Sequence, residues 1–203
     1  MDERRRFPTA LIPIVCLVLG ASLGIAARAW MRLISTDPEF TWNGTIFIVL
    51  GFTVFGFAQG VALAVRRATE RRWIVTTART FGFVGTLPLF VAAGGIMMPT
   101  VIFGGLARHR VDWPTWTRVV FVVLGSTSIM FVGLQLHDHW AWGWRWWAGM
   151  AGLFAVYGGV IALERGSMPP QRDGWQLPGV VRVATVVAAV LAMVLPIVGA
   201  GLA

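Results

Sequence analysis

His137, Asp138 and His139 set two imidazoles around one carboxylate, residue types that bind transition metals or relay protons. Zinc takes three or four protein groups in a tetrahedral array, and the chain has only three histidines. Side chains at adjacent helical positions point about 100° apart and do not converge. His109 is expected on the opposite side of the membrane, so the triplet reads as an interfacial polar loop. Haem held by axial histidines fails for a related reason, because none of the three lies inside an apolar run. Ser126, Thr127 and Ser128, in LGSTSIM, offer hydroxyl nucleophiles. A serine needs an activating base, and no histidine or lysine stands at that depth, so hydrogen bonding between helices explains them better. Cys16 is the one cysteine, which excludes an intramolecular disulfide and a multi-cysteine metal site.

Coupled transport places an ionisable group in the hydrocarbon, where it is expensive. The nine acidic residues are Asp2, Glu3, Asp37, Glu39, Glu70, Asp112, Asp138, Glu164 and Asp173, all in connections or at the ends of apolar runs. A carboxylate relay therefore has no visible parts. No catalytic, cofactor-binding or metal-binding residue is assigned.

The elements that would position any such group are membrane helices. Of 203 residues, 57% are hydrophobic and 13% charged, against about 25% charged in soluble domains. Apolar runs of about 20 residues cross the hydrocarbon as helices. The expected spans lie at about 9–31, 44–65, 80–103, 119–136, 147–163 and 181–202. They are continuous and lack the period-two alternation of barrel strands. The predicted fold is an all-α integral membrane bundle of six transmembrane helices, one multi-pass domain over 1–203. The N-terminal MDERRRFPTA and the apolar run behind it have the layout of a signal peptide, with Ala27 and Ala29 at a small-residue cleavage site. Arg4, Arg5 and Phe7 resemble a twin-arginine export pattern, but the run is long and an uncleaved first span is the plainer account.

Tryptophan and arginine placement bears on depth and sidedness. Trp30, Trp42, Trp73, Trp113, Trp116, Trp175 and the five tryptophans of HDHWAWGWRWW (137–147) stand at or beyond span ends, as suits an amphipathic ring with one N–H. The 137–147 stretch reads as a short interfacial connection between the fourth and fifth spans. The net charge of +8 comes from arginine alone; these cations flank apolar runs, so topology control and anionic head groups, not nucleic acid, account for them. The exclusive use of arginine points to a GC-rich bacterial genome.

Arg4 to Arg6, with Arg66, Arg67, Arg71, Arg72 and Arg79, assign the N-terminus and the 66–79 connection to the cytoplasm, leaving STDPEFTWN (35–43) outside. Six crossings would then put Arg108, Arg110, Arg118, Arg165 and Arg172 outside, against the positive-inside rule. The alternative is five spans plus a re-entrant segment, with the third run broken at Pro88, Gly94, Gly95 and Pro99 so that it enters and leaves on one side.

Gly20 with Gly24, Gly56 with Gly60, and Ala184, Ala188 and Ala192 recur at the spacing of close helix packing, read here as contacts within one bundle, with a dimer interface as the alternative. Asn43 matches a glycosylation sequon and is read instead as starting the second helix.

The functional expectation is a multi-pass protein of the bacterial plasma membrane, N-terminus cytoplasmic, without catalytic activity of its own. It would act on membrane lipids, a protein partner or a second copy through RRATERRW (66–73) and STDPEF (35–40). The alternatives are a small permease or channel subunit lined by Gln59, Ser126, Thr127, Ser128 and Tyr157, and a lipid-active enzyme using Asp37, Glu39, His137 and Asp138.

Overall fold

A computed structural model describes residues 9–36, 40–93, 95–140 and 142–168. The chain divides into two compact units, Met1–Pro169 and Pro170–Ala203, and the described residues lie in the first. They are helical throughout, with no strand among them: α1 (Ile12–Ile34), α2 (Trp42–Ala68), α3 (Arg72–Val84), α4 (Leu87–Ala92), α5 (Met98–His109), α6 (Thr115–Trp140) and α7 (Trp144–Leu163). A short 3-10 turn, Thr9–Leu11, precedes α1, and another, Glu164–Gly166, follows α7. Hydrocarbon offers backbone groups no partner, so long apolar runs satisfy them within helices. Five segments are long and apolar enough to cross a membrane: Thr9–Ile34, Trp42–Ala68, Arg72–Ala92, Thr115–Trp140 and Trp144–Gly166. The chain is an all-α helical membrane bundle. The sixth run at 181–202, with Ala184, Ala188 and Ala192, lies outside the described residues, as do Arg4 to Arg6, Asp37, Glu39 and Trp175.

The first two helices pack antiparallel along the glycines that the spacing singled out. A Cβ added to Gly20 would stand 3.0 Å from the Gly56 Cα, and one on Gly60 would stand 2.7 Å from the Pro13 Cα. Only hydrogen at these positions permits that separation, the means by which helices associate without a hydrophobic drive between them. Trp30 of α1 donates its indole N–H to the Gly149 carbonyl of α7 at 2.6 Å, which joins α1 to α7.

The third apolar run is not one continuous helix. α3 ends at Gly85, Pro88 stands at the start of α4, Gly95 adopts φ +75°, and Pro99 opens α5. Proline cannot donate the backbone hydrogen bond that would carry a helix through it, and only glycine takes the left-handed turn without strain. The Gly95 N–H instead closes on the Phe90 carbonyl at 2.8 Å. The two arms of this break run in opposite directions. Gln59 of α2 bonds to Gly82 of α3, and Gly51 faces Pro88 and Ala92 of α4, so α3 and α4 rise antiparallel to α2. Thr100 donates to the Gly125 carbonyl at 2.5 Å, Phe103 stacks on Phe121 and Arg118 donates to the Ala107 carbonyl, so α5 descends antiparallel to α6. Ala92 lies level with Gly51, nine residues along α2 from Trp42. The tip thus stops about 13 Å short of that helix end at 1.5 Å per residue.

The bundle therefore has two unlike ends. Arg66, Arg67, Arg71, Arg72, Arg108, Arg110, Arg118 and Arg165 gather where α2, α5 and α7 finish and α3 and α6 begin. Trp42, Trp140, Trp142, Trp144, Trp146 and Trp147 gather at the other, with Arg28, Arg32 and Arg145 among them, while Trp73, Trp113 and Trp116 stand at the arginine-rich end. The doubled-back 72–109 segment, and not a single continuous crossing over 80–103, produces this separation. The tryptophan connection is also shorter than expected. His137 to His139 remain inside α6, which runs to Trp140, and α7 starts at Trp144. Besides sitting at the end, Trp146 donates to the Gly133 carbonyl at 3.2 Å, tying α7 to α6.

The interior packs Phe52, Phe55, Leu89, Val101, Leu153, Val156, Tyr157 and Val160. Ile14, Val18, Ile25, Val119, Val123, Met130 and Leu134 point outward. Predominantly apolar outer faces, whose hydroxyls such as Ser22 and Thr127 bond back to their own helix, suit lipid as the surrounding solvent.

Candidate functional site

Four buried polar residues, Gln59, Arg110, Glu164 and Ser167, gather toward the arginine end, between α2, α3, α5 and the turn after α7, while Thr86, Thr100 and Ser128 lie farther along the bundle. Gln59 of α2 is 1% exposed and uses both ends of its amide. Its Nε2 donates to the Gly82 carbonyl at 3.0 Å, and its Oε1 accepts the Ser167 N–H at 3.0 Å. Gly82 is small because a Cβ there would meet the Ser167 Cβ at 3.2 Å, and the backbone of Gly166 sits directly against the Gln59 carbonyl. Arg79, one turn before Gly82 on α3, donates through Nε to the Ser167 carbonyl at 3.2 Å. The Glu164–Gly166 turn is thus folded inward and locked to α2 and α3.

That fold carries Glu164 with it. Its side chain is 0% exposed, and neither carboxylate oxygen has a hydrogen-bond partner among the described residues. It lies against the bare backbone of Gly105 in α5, where a Cβ would collide with Oε2. Met168, also buried, closes the same side. An isolated carboxylate without compensating bonds is costly in an apolar surround. The position is therefore chemically poised, in contrast to the expectation that every acid sits harmlessly at a helix end. Proximity to the end of α7 concealed it, because a helix end reads as solvated unless the chain beyond it turns back into the bundle.

His109 and Arg110 flank this seam from α5. The His109 Nε2–H donates to the Ile161 carbonyl at 2.6 Å; a carbonyl only accepts, so Nε2 carries the proton. Burial pushes the His109 pKa below its ordinary value; the Ile161 bond opposes this, and the charges of Arg108 and Arg165 add to the depression. Arg110 is buried, reaches the Asp112 carboxylate at 4.0 Å and stacks over Trp113 at 5.0 Å.

The residues picked out from the sequence are distributed unevenly around this centre. Gln59 belongs to it. Tyr157, two turns before Glu164 on α7, is buried with its hydroxyl unpartnered among the described residues. Ser126 and Thr127 bond back to the Val122 and Leu124 carbonyls of their own helix, and Ser128 is buried on α6. His137, Asp138 and His139 stand at the opposite end of the bundle. The His137 ring packs on Trp142 at 4.8 Å, His139 donates to the Gln135 carbonyl at 2.8 Å, and Asp138 is exposed. Among the described residues no group of three His, Cys, Asp or Glu is gathered as a metal would need. Cys16 is buried beside Gly60. The signals that could have revealed the centre were Gly105 and Gly166, small residues at the places where a long polar side chain needs room.

Comparison of the chain with protein-family models, with curated proteins and with solved structures finds no match.

Proposed function

We propose that this is a small permease of the bacterial plasma membrane, with its path along the seam between the α3–α4/α5 hairpin and the α2/α7 pair. The observation that carries the reading is the fully buried, unpartnered carboxyl of Glu164 beside a hairpin of broken helices. Intramembrane ionisable groups mark substrate and ion pathways, and discontinuous helices supply transport sites at membrane depth. A bundle that acts only through lipid or protein contacts has no use for an unpaired interior acid. Gln59 and Tyr157, both buried, remain in the proposed lining; Ser126 and Thr127 leave it, because their hydroxyls stand on the exposed side of α6.

The proposal includes a topology. The arginine end faces the cytoplasm, following the positive-inside rule, the 72–109 hairpin re-enters, and the tryptophan end faces outward. Single cysteines at Ser35, Thr115 and Ser167 in a Cys16→Ala background test it with membrane-impermeant thiol reagents. Thr115 and Ser167 label only in inside-out vesicles and Ser35 only in right-side-out vesicles. Cysteines at Thr100 and Tyr157 then report a water path. Labelling of either supports the permease, and silence of both in each vesicle orientation rejects it in favour of a closed contact protein.

A further inference from the structure

We propose that the Glu164 carboxyl is a proton-binding site, and that the proton is the only ion it takes. The inference deepens the permease reading and rests on it for its biological purpose, though not for its chemistry. Among the described residues, the carbonyl and amide oxygens around the Glu164 turn are already engaged. The Gln59 Oε1 accepts from Ser167, the Gly82 carbonyl from Gln59, the Ser167 carbonyl from Arg79 and the Ile161 carbonyl from His109. The Glu164 carbonyl accepts from the backbone N–H groups of Ser167 and Met168, both at 3.1 Å. Hard metal cations need about six oxygen ligands, and among the described residues the Glu164 carboxyl supplies two that are free of other bonds. A proton needs one. It also removes the charge whose burial is costly, and leaves a neutral acid whose contact with the Gly105 backbone and Met168 is ordinary packing.

The surrounding charges leave the proton on Glu164 as the group to follow. From α3, Arg79 is bound to the Ser167 carbonyl; from α5, Arg110 is engaged by Asp112 and Arg108 is exposed; beside the site, Arg165 is exposed. Arginine stays charged through the accessible pH range. His109, whose pKa burial holds below its ordinary value, is bonded away from the carboxyl, to Ile161. Release of the proton creates an ionised group that water or a displaced arginine must satisfy.

Dicyclohexylcarbodiimide tests the assignment on the full-length protein in detergent. A protonated carboxylic acid adds across one N=C bond of the reagent and rearranges to an N-acylurea, so the chain gains the mass of one whole carbodiimide and loses nothing. The expected result is a single label mapped by peptide mass spectrometry to Glu164. Its rate should fall at least tenfold between pH 5.5 and 8.5, stay unchanged with added sodium, potassium or magnesium, and survive His109→Gln. Exposed Glu70, Asp112 and Asp138 take a water-soluble carbodiimide instead and serve as the internal control. Protection by a metal cation, a rate independent of pH, or absence of label at Glu164 overturns the proposal. Glu164→Gln should abolish the label; because the mapping is done on the unaltered chain, a variant that fails to fold leaves the test intact. A labelled Glu164 in a protein whose Thr100 and Tyr157 cysteines stay inaccessible keeps the proton site and rejects the permease. An accessible path with no label does the reverse.

Discussion

Replacing Gly56 by alanine should destabilise the bundle, while the same change at Gly158 should not, and the gap between them measures how closely α1 and α2 approach. A Cβ on Gly56 would stand 2.9 Å from the Gly20 Cα and 3.2 Å from the carbonyl carbon of Cys16. Unbonded carbons rest at about 3.5–4.0 Å, so the helices must part by roughly 1 Å or distort. Overpacking of this kind costs about 1–3 kcal/mol. Alanine also recovers about 1 kcal/mol of helix propensity, which blurs the single measurement. Gly158, on the exposed face of α7 with nothing within 4 Å of its added Cβ, collects that gain alone. The difference between the variants isolates the clash and corresponds to roughly a 5- to 150-fold difference in the unfolding constant, at tenfold per 1.4 kcal/mol. Denaturation of the purified protein in mixed micelles, followed by circular dichroism, reads it directly. Gly20→Ala meets the same partner, so the double variant should cost less than the two single changes together, because helices already separated by one methyl accommodate the other. Equal stability of the Gly56 and Gly158 variants, or strict additivity of the pair, would refute the packing argument.

Two smaller predictions concern other joints of the bundle. Trp30→Phe removes the donor to the Gly149 carbonyl and part of the ring that covers Gly152, and should cost about 1–2 kcal/mol, while Trp116→Phe on an exposed face should cost little in the same unfolding assay. His109 has a folded pKa depressed below its ordinary 6.5, so the unfolded chain binds more protons in that window; stability should therefore fall as the pH drops through and below about 6.5, and His109→Gln should flatten that part of the profile.

The sequence made the architecture legible where one residue type has one physical use. Glycines at four-residue spacing on α1 and α2 face each other because only they allow backbones to touch, and tryptophans stand at helix ends because their N–H needs a partner outside the hydrocarbon. Trp30 and Trp146 find that partner in helix carbonyls and not in the head-group layer, which composition alone cannot distinguish. The break in the third run was readable from Pro88, Gly95 and Pro99. Its consequence was not, since whether a broken run continues or doubles back depends on what packs against each arm. The arginines carried that information: a continuous crossing set Arg108, Arg110 and Arg118 against the cations of the 66–79 connection, and a chain that turns back joins these at one end.

The buried acid escaped notice for a reason that applies to membrane bundles generally. Hydropathy grades a residue by its neighbours in sequence, and Glu164, followed by Arg165 and Gly166, grades as the edge of a span. Its burial is decided by residues far away along the chain: Gln59 and Arg79 draw Ser167 inward, and Gly82 and Gly105 leave the space. Those partners are a glutamine and glycines within apolar runs, types that pass as packing when each is read alone. What distinguishes them is agreement. A buried amide with both ends satisfied, two glycines whose missing Cβ atoms would strike the same turn, and an arginine bonded to a carbonyl of that turn all act to hold one carboxyl out of water. The cost they leave in the fold is that of the unpartnered Glu164 carboxyl, which leucine at the same position would remove, and the proposed proton site gives that cost a purpose.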